Sequence, residues 1–152
     1  MARVEVTTHV EAEPAQVWAV LTDWESQAEW MRDAVEVRIL SPQREGVDVV
    51  VRCRTRIAAG LVVNDDLITT EWDPPRVLGV RHTGWLIRGV AAFELQPTAH
   101  GTHVTWWEEI DPPLGFVGEA AAVLVVVPLV TRVFRSSLAG LKQLCESPAA
   151  TS

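Results

Sequence analysis

The stretch FVGEAAAVLVVVPLVTRVFRSSLAGLKQLC at positions 116–145 decides how the rest of the chain is read. Val117, Leu124, Val127, Phe134, Leu138 and Leu141 recur along it at helical spacings, which predicts one long helix with an apolar stripe. Pro128 removes an intrahelical hydrogen bond and crowds the preceding turn, so the helix must kink there or join two segments. The uncharged, mostly apolar run 120–131 holds that proline and is shorter than the about 18 to 20 residues that span a bilayer. The helix therefore belongs inside the fold, as a cover for a sheet.

Working back from the helix, the chain supplies that sheet. Positions 3–10 alternate Val4, Val6, Thr8 and Val10 with Arg3, Glu5, Thr7 and His9, the pattern of a half-buried strand. Pro14 then opens a short helix carrying Val17, Trp18 and Leu21, and a second short helix covers 24–31. Both are too short to be stable alone and must dock on something larger. Strands follow at 35–39, 47–57, 60–72, 77–83, 87–96 and 102–110, joined by short links that suit antiparallel neighbours. In the 47–57 strand Val49, Val51, Cys53 and Thr55 share one face and Arg52, Arg54 and Arg56 the other. Three arginines on one side require water or acidic partners on adjoining strands, so the valine side points inward. The reading is an α+β domain over 1–146, with about seven strands and a flexible tail at 147–152.

Composition excludes several classes. With 152 residues, 48% hydrophobic and 22% charged, the chain has enough apolar side chains for one substantial core. A net charge of −7 opposes phosphate backbones, so nucleic acid is not an expected partner, nor is integral membrane contact. Polar residues interrupt the N-terminus before any signal-like apolar run, and Cys53 and Cys145 lack metal-site or CxxC spacing. A reducing, cytoplasmic location is the expectation. His9, His82, His100 and His103 form no metal motif, and no P-loop, dinucleotide-binding or nucleophile-elbow pattern is present, so neither a metal nor a cofactor is expected.

The fragments Val6-Thr7-Thr8-His9-Val10, Ala12-Glu13-Pro14-Ala15-Gln16-Val17-Trp18, Leu21-Thr22-Asp23-Trp24, Trp30 and Glu71-Trp72-Asp73-Pro74-Pro75-Arg76-Val77-Leu78 carry a resemblance. The chain resembles the helix-grip (START/Bet v 1-like, SRPBCC) superfamily, in its bacterial polyketide cyclase/dehydrase-like branch. The resemblance implies a curved antiparallel sheet wrapped around the long C-terminal helix, with an internal cavity for a hydrophobic or aromatic ligand. It also implies polyketide aromatase/cyclase or dehydratase chemistry in some relatives, and transport or assembly roles in others.

Seven tryptophans, with no tyrosine and three phenylalanines, set the composition apart. Trp18 and Trp24 fall where the short helices must dock and read as structural. Trp30, Trp85 and either Trp106 or Trp107 are candidate flat walls for a ligand. Trp106 is preferred, because it is in phase with Thr102, Val104, Glu108 and Ile110. Val49, Val51, Cys53, Phe93, Leu124 and Phe134 complete the expected ligand-binding lining.

Glu108 shares the phase of Trp106 and is the first catalytic candidate, against the alternative of a solvated strand-end carboxylate. Arg81 and His82 cannot both face inward in a regular strand. Arg81 is favoured, as an anchor for a carboxylate or phenolate and a second catalytic candidate. Asp65 and Asp66 are adjacent and should diverge to opposite faces. The leading reading is therefore a protein that binds a hydrophobic, aromatic or polyketide-like molecule, with cyclase or dehydratase chemistry at Glu108 and Arg81. A non-enzymatic carrier or sensor, and an assembly module using the arginine face, remain alternatives; a homodimer or a polyketide synthase partner is left open.

Overall fold

The computed structural model describes residues 2–111 and 115–147. Most of the expected tail lies outside the described residues. Seven strands form one antiparallel sheet: β1 (Ala2–Val10), β2 (Ala34–Ile39), β3 (Val50–Arg56), β4 (Val62–Asp73), β5 (Val77–Thr83), β6 (Arg88–Thr98) and β7 (Gly101–Ile110). Their order across the sheet is β1-β7-β6-β5-β4-β3-β2. Strands β2 to β7 thus meander as neighbours, and β1 closes the far edge by pairing with β7 from Ala2↔Ile110 to Val10↔Thr102. The curved half-barrel wraps α3 (Val127–Glu146), and α1 (Pro14–Leu21) and a 3-10 turn (Trp24–Glu29) follow β1, completing a helix-grip fold.

Two strands start later than their hydrophobic patterns suggest. Asp48 has φ 66° and Gly60 φ 73°, left-handed values that hold the backbone outside strand geometry until Val50 and Val62. The Asp48 turn is pinned by Thr69: Val49 N–H donates to Thr69 Oγ1 at 2.9 Å, and that hydroxyl donates to the Gly46 carbonyl at 2.7 Å.

Strand β4 carries a bulge between Thr69 and Glu71. Before it, Asp65 opposes Cys53 and Leu67 opposes Val51; after it, Trp72 opposes Leu78. Without the extra residue, Asp65 and Trp72 would lie on opposite faces. The bulge places both on the concave side. There Trp72 meets Trp18 edge to face at 5.2 Å and Trp24 at 6.4 Å, so the short helices are docked by indoles. The Trp24 Nε1–H donates to the Arg44 carbonyl at 3.0 Å.

The arginine face of β3 is largely neutralised by its neighbours. Arg52 pairs with Asp66 of β4 at 2.7 Å and Arg54 with Glu36 of β2 at 3.7 Å. Such exposed pairs contribute at most about 1 kcal/mol each, and they permit this stripe rather than drive the fold.

The C-terminal helix arrives in pieces, as Pro128 requires. Helix α2 (Gly115–Ala121) runs into a π-helical turn (Ala122–Val126), and Pro128 sits in the first turn of α3, where a missing N–H costs little. Phe134, Leu138, Leu141 and Cys145 are buried against the sheet. Lys142 Nζ donates to the His9 carbonyl at 2.8 Å, and Glu146 accepts from Glu11 N–H at 2.9 Å. Gly140 allows close approach, since a Cβ there would stand 3.1 Å from the Trp30 carbonyl oxygen. The expected apolar stripe is gripped only from Val127 onward. Val117 and Leu124, which belong to it by spacing, are 72% and 77% exposed, because α2 and the π turn run on into α3 with no strand packed closely against them among the described residues.

This division has a measurable consequence. Leu141→Ala should lower the unfolding free energy by about 2 to 5 kcal/mol, whereas Leu124→Ala should change it by less than about 0.5 kcal/mol. Urea denaturation of both variants checks this; similar losses would mean that the whole helix is gripped.

Candidate functional site

The concave face divides into an aromatic half and a titratable half. In the first, Phe93 of β6 and Trp106 of β7 are cross-strand partners, stacked with centroids 4.7 Å apart. Phe134 from α3 continues the stack on Trp106 at 3.7 Å and 8°. Trp30 meets Phe93 and Trp106 edge-on at 6.0 and 6.4 Å. The indole of Trp30 is fully buried, yet its Nε1–H has no hydrogen-bond partner among the described residues. A buried donor left in this way carries a desolvation penalty that an acceptor oxygen would remove.

The second half is built one residue pair further along the strands. Glu108 lies two positions beyond Trp106 on the same face of β7, His82 projects from β5, and Asp65 from β4. His82 Nδ1 and Asp65 Oδ1 are 2.7 Å apart, and His82 Nε2 lies 3.6 Å from Glu108 Oε1. The three side chains are 8 to 10% exposed. Nε2 is just beyond hydrogen-bond reach of Glu108 and has no other partner among the described residues.

The charges of this group are set by burial and by one another. Burial draws the His82 pKa down, but the hydrogen bond to Asp65 and the charges of Glu108 and Asp65 raise it further, to about 9. Burial pushes the Glu108 carboxyl up; the His82 charge opposes this, Asp65 and Asp33 reinforce it, and the result is about 7. Asp33 is also raised, chiefly by burial, against its backbone hydrogen bond and with a further push from Asp65. Near neutrality the site therefore contains an imidazolium whose free N–H faces a carboxyl group poised between its two forms. Cys53 lies beside the group, but burial holds its thiol at about 11, so it is a small apolar lining residue rather than a nucleophile.

The residues expected from the sequence distribute unevenly. Trp30, Val49, Val51, Cys53, Phe93, Trp106 and Phe134 are buried in the interior, and Glu108 is buried with them. Trp107 faces outward under the Arg3 guanidinium, at 4.6 Å from its ring centroid. Three expectations fail. Arg81 is exposed and His82 takes the inward position, because β5 keeps regular alternation and Leu78 and Val80 share the phase of His82. Trp85 is 83% exposed in the turn at 84–87, beyond the ends of the strands, and Leu124 is exposed on the π turn. Asp65 and Asp66 do diverge, Asp66 to Arg52 and Asp65 to His82. Asp65 is the site member that sequence reasoning misses, and His82 the one it weighs against Arg81 and sets aside. For His82 the signal is available in Leu78 and Val80; for Asp65 the β4 bulge obscures it. Among the described residues, no group of three His, Cys, Asp or Glu side chains is arranged to hold a metal ion.

Comparison with known proteins places this geometry in context. The sequence model of the family described as polyketide cyclase / dehydrase and lipid transport matches residues 1–146. No curated protein matches the sequence. A Thermus thermophilus protein of solved structure, TTHA0849, shares 19% identity and a TM-score of 0.83, over 99% of this chain and 100% of its own. The Zhui aromatase/cyclase from a Streptomyces species shares 22% identity and a TM-score of 0.77, over 95% of this chain and 93% of its own. The di-domain aromatase/cyclase BexL, from the BE-7585A biosynthetic pathway, shares 17% identity and a TM-score of 0.80, over 96% of this chain and 50% of its own. At these identities the likeness is one of fold, and the fold is consistent with holding a hydrophobic ligand inside the curved sheet.

The raised pKa values of Glu108 and His82 make stability depend on pH with a definite sign. Between about 4.5 and 7 the folded Glu108 keeps a proton that the unfolded carboxyl has lost, and between about 6.5 and 9 the folded His82 does the same. The folded state binds more protons, so stability falls as pH rises through this range. Glu108 alone accounts for on the order of 3 kcal/mol, since each tenfold difference in proton affinity between folded and unfolded states is worth about 1.4 kcal/mol. Urea unfolding across the range should show this decline, and Glu108→Gln should flatten its lower half. Stability that rises over the same interval would refute the assignment.

Proposed function

Because the chain belongs to the polyketide cyclase / dehydrase and lipid transport family, we propose that it binds a hydrophobic, aromatic or polyketide-like molecule between the sheet and α3 and dehydrates it as a ring forms. The observation that carries this reading is the buried Asp65, His82 and Glu108 group beside the aromatic stack, with the His82 Nε2–H unpartnered among the described residues. Apolar walls alone would serve for binding; a desolvated acid and base next to them suit proton transfer. BexL and Zhui, which share the fold, are aromatase/cyclases.

The division of labour follows from the geometry. Phe93, Trp106 and Phe134 stack on one another into a rigid apolar wall, and a flat substrate packed against it is limited to one folded conformer. The Glu108 carboxylate removes the proton alpha to a carbonyl of a β-hydroxy ketone, and His82 Nε2–H protonates the departing hydroxyl. The C–H and C–O bonds break, a C=C bond forms and water leaves. The proton then passes from Glu108 to His82 Nε2 across the 3.6 Å that separates them, and the site is reset. Asp65 holds the His82 ring by its other nitrogen at 2.7 Å and stabilises the imidazolium. A polyketide synthase is the partner that would supply such a substrate.

A carrier without turnover is the second reading, favoured by the aromatic stack, which needs no titrating neighbour. Turnover of a β-hydroxy ketone precursor of an aromatic ring distinguishes the two. Glu108→Gln should reduce kcat by about 10²- to 10⁴-fold, with Kd changed by less than about 3-fold. Turnover unchanged in the variant removes Glu108 from the mechanism, and binding without turnover in the unaltered protein selects the carrier.

A further inference from the structure

At the end of the molecule where β3, β5 and β7 finish, apolar side chains stand uncovered. Trp85 in the 84–87 turn is 83% exposed, and Leu61 in the 57–61 turn is 62% exposed. The C-terminal end of α3 is tied to His9 and Glu11 at the opposite end, so its first turn and the π turn before it lie on this side too. In that π turn Val123, Leu124, Val125 and Val126 are 52, 77, 64 and 39% exposed. Successive helical residues are separated by about 100° or somewhat less, so four in a row occupy the whole circumference. Closure onto the sheet would bury one side of such a cylinder and leave the other in water. An apolar medium that surrounds it would cover all four.

Charge defines that medium. Arg56 ends β3, Arg88 begins β6 and Arg132 lies in the second turn of α3; all three are exposed and have no ion pair among the described residues. This contrasts with the paired Arg52 and Arg54, and with a chain whose net charge is −7. A two-fold contact with a second copy through the same surface would gather both copies' unpaired arginines into one interface.

We propose that this end docks on an anionic lipid bilayer. The π turn, Leu61 and Trp85 enter the boundary between headgroups and acyl chains, and Arg56, Arg88 and Arg132 meet lipid phosphates. Trp85 suits that depth, since indole favours the interface. The helix from Val123 to Glu146 is long and apolar enough to cross a bilayer by length and composition, but the core holds it from Val127 onward, leaving the π turn before it free to insert.

Sedimentation with phosphatidylcholine vesicles, with and without phosphatidylglycerol, tests this on the full chain. The protein should pellet with the anionic vesicles and lose that binding as salt is raised. The exposed-site variant Leu124→Glu/Trp85→Ser should bind about tenfold or more weakly, and Arg56→Ser/Arg88→Ser should lose roughly 5-fold per arginine. Circular dichroism confirms that each variant is folded. Failure to bind anionic vesicles, equal binding by all variants, or a concentration-dependent dimer that the apolar variant dissolves without any vesicle binding would each overturn the proposal.

Discussion

An imidazole buried beneath a curved sheet is expensive to ionise, and the contact between His82 and Asp65 at 2.7 Å is what makes it tolerable. That contact requires β4 and β5 to present these residues on the concave face at neighbouring positions. The bulge at Thr69 and Glu71 meets the requirement while still turning Trp72 inward to dock the short helices. Glu108 then completes the group from β7, across β6, where Ala91 leaves room between the two strands. Three strands, the outer two separated by more than forty positions in sequence, are thus committed to one electrostatic arrangement. Removing His82 would leave Asp65 and Glu108 desolvated without a counter-charge.

The aromatic half of the interior works by a different principle. Phe93, Trp106, Phe134 and Trp30 come from two strands, α3 and the segment after the 3-10 turn, so their packing ties the grip of the helix to the shape of the interior. Gly140 and Ser137 reinforce the same joint: the first by yielding space to the Trp30 backbone, the second by accepting a hydrogen bond from Arg32 N–H at 2.9 Å. A ligand that enters between sheet and helix meets a surface whose rings are held from both sides.

Much of this architecture is legible in the sequence because regular elements obey their periods. Strand β7 alternates without interruption, so the inward placement of Trp106 and Glu108 and the outward placement of Trp107 follow from parity alone. Pro128 likewise marks where two helical segments join. Parity holds in β5 as well, but weighing Arg81 as an anion anchor overrides Leu78 and Val80, whose apolar side chains point the same way as His82. In β4 no local pattern helps, since a bulge between Asp65 and Trp72 breaks the alternation on which such reasoning depends. Leu124 escapes for a third reason: helical spacing reveals a stripe but not how far the sheet extends beneath it.

The central claim is that His82 stands as an imidazolium between two carboxyl groups at neutral pH. An NMR titration of the His82 ring nitrogens addresses it most directly. The arrangement predicts a midpoint near 9, well above the 6.5 of an unperturbed histidine. A midpoint at or below 6.5 would contradict it, because burial would then outweigh Asp65 and Glu108 and the ring would be neutral where the proposed chemistry needs it charged.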